Sequence, residues 1–325
     1  MRNIKFLILL FLIPALTFTF IGCSDDSTSP TKVDEYAVLL EYLEGDGGDF
    51  INTYAPTIKT AEAVKTDMTS GTQYIIDIRD AATFATGHIE GAVNVDFKNL
   101  LTHVEGLTTD YESIVIVCVS GQTAAYGASL LRLMGYDNVY SLKFGMSSWN
   151  KEFDAWSGKL ANTYTTQFET TDHAIGDEVD PPVLDTGKKE AADILRARVE
   201  AVFDAGFSGK ITAADVVPNA SNYYIVNYWP KDQYLSAGHI PGAYCYVPRA
   251  DLKSTTNLKT LPADKKVVVY CYTGQTSAYV TAYLRVLGYD AYSLLFGANT
   301  MIYDTMPGGK FSESAIMDYD YVTGN

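Results

Sequence analysis

Short β-branched runs and apolar residues at helical spacing alternate along the chain, and the alternation occurs twice. In the first half, Tyr74-Ile-Ile-Asp77, Val115-Ile-Val-Cys118 and Tyr140-Ser-Leu142 predict buried strands, and a further short strand follows Gly91-Ala92. In the second half, Tyr224-Ile-Val-Asn227, Val268-Val-Tyr-Cys271 and Tyr292-Ser-Leu294 predict the same set, with a short strand after Gly242-Ala243. Helical spacing appears from Glu35 to Leu43, ending at Gly45-Asp-Gly-Gly, and from Lys188 to Phe203. Thr60 is placed to cap a helix through Ala61-Glu-Ala-Val64, with its counterpart at Thr212. After each cysteine comes a glycine-containing turn and an amphipathic helix, expected to begin near Ala124 and Ser277 and to run through Leu131-Arg132 and Leu284-Arg285. Gly135-Tyr136-Asp137 and Gly288-Tyr289-Asp290 stop these helices.

The matched segments keep their order at offsets of 150 to 153 residues, and between Cys118 and Asp137 11 of 20 positions equal their partners. This is a duplicated unit of about 120 residues rather than a solenoid of short repeats. Strands alternating with helices predict an α/β fold: two tandem domains, each a mostly parallel central sheet with helices on both faces. Residues 36–160 and 188–325 are expected as the two domains. Residues 161–187, rich in Thr and Asp and containing Pro181-Pro182, are expected as the linker.

Composition narrows the partners. A chain of 325 residues with 47% apolar and 19% charged residues has the makings of real cores. Its net charge of −15 argues against nucleic acid, which needs clustered cations. Residues 1–23 read as a secretory signal: Arg2 and Lys5, then an apolar stretch from Phe6 to Phe20. Phe20-Ile-Gly-Cys23 resembles a bacterial lipobox, although Phe20 stands where Leu is usual. The resemblance implies lipid on Cys23 and a place in the cell envelope, anchored to a membrane on its periplasmic or extracellular face. Residues 24–35 are then a polar tether.

Lipidation of Cys23 would leave three cysteines, Cys118, Cys245 and Cys271, a poor count for a disulfide framework. The histidines at 88, 103, 173 and 239 are dispersed in sequence, so no metal site and no cofactor are expected. His88 and His239 are expected to hydrogen-bond within their turns. Cys245 is expected to be a small buried filler, the sharper alternative being a disulfide with Cys271. A strand that delivers a cysteine to a helix N-terminus is a way to make a reactive thiolate. Successive backbone N–H groups of Val119, Ser120, Gly121, Gln122 and Thr123, and of Tyr272, Thr273, Gly274, Gln275 and Thr276, would curl around each sulfur. Such a ring of amides requires positive φ at Gly121 and Gly274. Thr123 and Thr276 are placed to cap the helices and to donate a hydroxyl to the sulfur. Gln122 and Gln275 either orient an amide inside the loop or face solvent, and Tyr126 and Tyr279 either line a pocket or pack.

The ordered set Asp77-Ile-Arg79, Phe84-Ala-Thr-Gly87-His88-Ile-Glu-Gly91-Ala92, Cys118 with its loop, Gly135-Tyr136 and Leu142…Gly145…Trp149 resembles a rhodanese domain. Gly238-His-Ile-Pro-Gly-Ala243, Cys271 with its loop, Gly288-Tyr289 and Gly297 repeat it. The resemblance implies a sulfurtransferase that carries sulfane sulfur as a persulfide on Cys118 or Cys271. Its partners would be a small sulfur donor and a thiol or cyanide-like acceptor. It also implies a structural pair of Asp77 and Arg79 near the sheet edge, read here as exposed or half-exposed and of small energetic weight. Related phosphatases carry Arg six residues after the cysteine; Ala124 and Ser277 stand there and exclude that chemistry. Many active sulfurtransferases carry Arg in the second or last loop position, where this chain has Val119, Tyr272, Thr123 and Thr276. A loop without a guanidinium pairs poorly with doubly charged thiosulfate and suits a persulfide or polysulfide donor better. Cys271 is placed ahead of Cys118 because Tyr272 and Thr273 add polar groups. The competing expectation is a non-catalytic binding or scaffold module on the same fold.

Overall fold

The computed structural model describes residues 33–324. The signal segment, most of the tether and Cys23 lie outside the described residues. Ten strands form two five-stranded sheets. In the first half they are β1 (Ile58–Lys59), β2 (Gln73–Asp77), β3 (Val93–Asn94), β4 (Ser113–Val117) and β5 (Val139–Leu142). In the second they are β6 (Lys210–Ile211), β7 (Tyr224–Asn227), β8 (Tyr244–Cys245), β9 (Val267–Tyr270) and β10 (Ala291–Leu294). The sheet orders are β1-β5-β4-β2-β3 and β6-β10-β9-β7-β8, with every pairing parallel. The duplication read from the sequence is therefore a duplication of topology. The central strands β4 and β9 are buried along their whole length, as β-branched runs covered on both faces should be.

The helix after each cysteine spans Gln122–Leu133 and Gln275–Val286, two residues earlier than expected. Gly121 and Gly274 sit at φ +84° and +76° and turn the chain straight from the loop into the helix. Thr60 accepts from the Ala63 N–H at 3.2 Å, as a cap should. The two post-cysteine helices pack on one another, and the Ser129 hydroxyl donates to the Tyr279 carbonyl across that contact at 2.8 Å. The largest buried apolar cluster draws on both halves.

The segments flanking each unit are exchanged. The helix Glu35–Glu44, ahead of the first sheet, lies against the second half: Tyr36 and Tyr289 join hydroxyls at 2.9 Å, and Glu44 accepts from Ser254. The helix Ala191–Ala205, ahead of the second sheet, reaches across as well as packing on its own half: Phe203 lies tilted against Phe97 at 5.4 Å and Arg196 pairs with Glu105, while Arg198 donates to the Arg285 and Val286 carbonyls. Past the first sheet, Ala161 and Tyr164 donate to the Asn299 and Met301 carbonyls, and Glu169 forms an antiparallel bridge with His239. Past the second sheet, Met317 and Tyr319 donate to the Ser148 and Trp149 carbonyls, and Val322 bridges His88 in the same sense.

The Asp77–Arg79 pair corrects an expectation. It is buried rather than half-exposed: Arg79 Nη2 lies 2.6 Å from Asp77 Oδ2, with side-chain exposures of 3% and 0%. Arg79 also donates to the Gly87 carbonyl at 2.7 Å, which fixes the turn holding His88. A pair removed from water in this way cannot be lost cheaply. The second half substitutes Asn227, which donates to the Tyr270 hydroxyl at 2.7 Å, and a fully buried Trp229.

Candidate active site

Each cysteine stands one residue beyond its central strand, where the chain leaves the sheet and the next peptide groups can turn toward the side chain. At the first loop, the Gly121 N–H donates to Cys118 Sγ at 3.1 Å and the Ala124 N–H at 3.4 Å. At the second, the Ser277 N–H donates to Cys271 Sγ at 3.3 Å, and the Cys271 thiol faces Ser277 Oγ at 3.7 Å. Ser277 Oγ is in turn 2.8 Å from Ser293 Oγ. The first loop thus turns two of its amides toward the sulfur, whereas the second presents a single one, that of Ser277, and none from residues 272–276. Thr123 and Thr276 do not complete the cradle, because Gly121 and Gly274 occupy the cap positions and the threonines fall inside the first helical turn. The sixth residue after each cysteine contacts the sulfur instead, through its backbone N–H; in the second copy its hydroxyl accepts from the thiol. In the sequence that position signals a helix start and the lack of an arginine, but not a contact with the sulfur.

For Cys118 the expectation of a ready thiolate is also corrected. Cys118 and Cys271 are 5% and 2% exposed. Burial pushes the Cys118 thiol above its ordinary range, and the amides of Ala124, Ser120 and Gly121 oppose this without reversing it. The neighbouring carboxylate of Asp77 pushes in the same direction as burial. In the closed loop the neutral thiol is the favoured form.

Around the loops the two halves interlock. Gln122 does not face solvent: its Oε1 accepts from the Phe296 N–H of the other half at 2.7 Å, while its Nε2 donates to Ser120 in its own loop. Gln275 does the reciprocal thing. Its Oε1 accepts from the Phe144 N–H at 3.0 Å, and its Nε2 reaches the Gly121 and Leu142 carbonyls at 3.4 Å. Phe144 and Phe296 both adopt φ +61° and precede glycines whose backbone lies against the cysteine loops. Trp156 and Phe311 join them in an aromatic cluster, with Trp156 stacked on Phe311 at 5.3 Å and donating to the Ser120 carbonyl. Trp156 and Phe311 lie beyond the motifs that drew attention in the sequence, and only their equivalent places past each sheet could have signalled them.

Tyr126 and Tyr279 pack; they line no opening. Both are fully buried, and burial pushes Tyr126 up to about 12 against the opposing guanidinium of Arg285. Tyr272 stacks on Trp229 at 5.0 Å and donates to Gln233, and Thr273 Oγ accepts from the Gln275 N–H, so both polar groups are engaged away from the sulfur. In the first loop the corresponding Val119 is exposed. Cys245 is buried and unpaired to sulfur, its thiol directed at the Trp229 carbonyl at 3.6 Å, which is the filler reading rather than the disulfide. His88 bonds the Phe84 carbonyl at 3.0 Å, and His239 bonds the Ile240 and Thr171 carbonyls at 3.1 and 2.8 Å. His173 and His239, far apart in sequence, come together beside Glu169, which His173 contacts at 2.8 Å.

Two stretches, residues 60–152 and 213–300, match the Rhodanese-like domain. The chain belongs to the rhodanese-like domain family. The thiosulfate sulfurtransferase GlpE of Shewanella oneidensis is 40% identical over 77 residues, which is 24% of this chain and 75% of that protein. GlpE of Pseudomonas fluorescens SBW25 is 33% identical over 81 residues, 25% of this chain and 73% of that protein. A crystal structure of a thiosulfate sulfurtransferase from Pseudomonas aeruginosa aligns over 90% of this chain and 49% of its own, at 16% identity and a TM-score of 0.30. Membership in the rhodanese-like family, with relatives named as sulfurtransferases, supports sulfur transfer as the general chemistry of this chain.

Proposed function

We propose that the protein carries sulfane sulfur as a cysteine persulfide on Cys118 and Cys271, from a persulfide or polysulfide donor in preference to thiosulfate. The carrying observation is the pair of topologically matched loops in which backbone N–H groups, two at Cys118 and one at Cys271, point at a cysteine sulfur and no loop residue is a cation. In the step, the cysteine thiolate attacks the terminal sulfur of a donor R–S–S⁻. The donor S–S bond breaks, RS⁻ leaves and takes up a proton, and Cys–S–S⁻ remains for an acceptor thiol. Amides stabilise the single charge of the persulfide. A departing sulfite dianion would find no guanidinium to pair with. Because burial favours the neutral thiol of Cys118, loss of its proton accompanies admission of the donor. The polar stretch after Phe20-Ile-Gly-Cys23 supports a lipid anchor on Cys23 at the cell envelope, which intact mass of membrane-extracted protein would test.

Intact mass after donor treatment tests the transfer reading. With glutathione persulfide the wild type should gain one sulfur per loop cysteine, and Cys118→Ser and Cys271→Ser should each gain one fewer. A strong preference for thiosulfate would refute the donor assignment. No gain at all would favour a scaffold module, the reading that the burial of both thiols favours.

A further inference from the structure

The two cysteine loops do not stand as separate sites. Gly121 directs its N–H at Cys118 Sγ, while its carbonyl, one peptide on, receives Gln275 Nε2 from the other half. The Phe144 N–H, at the turn whose Gly145 backbone lies against the Cys118 loop, is satisfied by the same Gln275 side chain. Reciprocally, Gln122 satisfies the Phe296 N–H beside the Cys271 loop. A methyl group on Gly121 would strike Gln275 Nε2, and one on Gly274 would strike Gln122 Oε1. Both glutamines are almost wholly buried, so an amide left unpaired there meets no water.

We propose that Gln122 and Gln275 are positioning residues acting in trans: Gln275 holds the Cys118 loop closed and Gln122 holds the Cys271 loop closed, coupling the two sites. Each glutamine sits in the loop of one cysteine and secures the loop of the other. Removing Gln275 frees the Gly121 peptide and strands the Phe144 N–H, so the first loop opens although its own sequence is unchanged. The coupling concerns the loops assigned above to sulfur transfer, but alkylation reads it without any sulfur donor. Failure of one assignment is therefore distinguishable from failure of the other.

The test is site-resolved iodoacetamide labelling of the full chain, followed by peptide mass spectrometry over a range of pH. Gln275→Ala should speed labelling of Cys118 by about threefold or more relative to Cys271, and Gln122→Ala should do the reverse, as expected within one hydrogen-bonded network. Gln275→Met keeps most of the volume and loses all three side-chain hydrogen bonds, and should shift the Cys118 pH profile in the same direction as Gln275→Ala. Faster labelling of the cysteine in the glutamine's own loop, equal change at both cysteines, or no change at either would overturn the proposal. Thermal melting of each variant identifies one that has lost its fold; if Gln275→Ala has, the Gln275→Met profile decides.

Discussion

Gly145 offers a direct measure of how tightly the first cysteine loop is built. Its φ is +61°, and a Cβ there would strike the Cys118 carbonyl and stand 2.6 and 2.7 Å from the Gly121 and Ser120 nitrogens. All three obstacles are backbone, so no side chain can swing aside. Gly91 supplies the control: its φ is +78°, but nothing lies within 4 Å of the added carbon. Positive φ costs an alanine at Gly91 about 1 kcal/mol; Gly145, with ψ −152°, lies in a region that essentially only glycine enters, which costs about 1–3 kcal/mol, and forcing extra volume into packed structure adds about 1–3 kcal/mol. Gly91→Ala should therefore lose about 1 kcal/mol and Gly145→Ala about 2–6 kcal/mol. Urea unfolding with a common slope would read both. Equal losses for the two variants would refute the claim that the Gly145 turn is pressed against the loop.

Asp77→Ala leaves the Arg79 guanidinium buried with the Gly87 carbonyl, and should cost about 3–5 kcal/mol in urea unfolding, partly restored by adding Arg79→Met; a loss below about 1 kcal/mol would contradict the burial of the pair. Burial pushes the Cys245 thiol up to about 11, so the fold favours its neutral form. That contribution is complete below the ordinary thiol value and is lost as pH rises through about 11, so melting temperature should fall less steeply over this window in Cys245→Ala than in wild type. Identical slopes would mean the thiol is not held away from water. Tyr272→Ala removes a ring stacked on Trp229 beside Cys271, and should speed iodoacetamide labelling of Cys271 while leaving Cys118 near its wild-type rate; an unchanged Cys271 rate would remove Tyr272 from the account of access.

The sequence made the sheets and the cysteine loops legible because both depend on local pattern. β-branched runs name β2, β4, β7 and β9, and the repeat confirms each by its partner. What it concealed depends on residues far apart. Gln122 reads as one polar side chain at a helix start, and nothing nearby announces that its partner is Phe296. Asp77 and Arg79 look like a surface pair until the neighbouring turn and Phe153, whose ring lies 5.4 Å from the guanidinium, cover them. The threonines take the cap only if the helices start at Ala124 and Ser277; the positive φ of Gly121 and Gly274 starts them two residues earlier, which residue types alone do not reveal. Thiol acidity was misjudged for a related reason: the amides are local, but the desolvation that outweighs them is tertiary.

The exchanged flanking segments constrain the order in which this chain can finish folding. The Trp149 indole N–H donates to the Asp320 carbonyl, 171 residues later, and the Asn150 amide donates to the Tyr319 carbonyl. This side of the first unit therefore stays uncovered until residues 319 and 320 have been synthesised, and the two halves cannot mature one after the other as beads on a string do. Contacts of such long sequence separation place the closing of the first unit among the slowest events of folding.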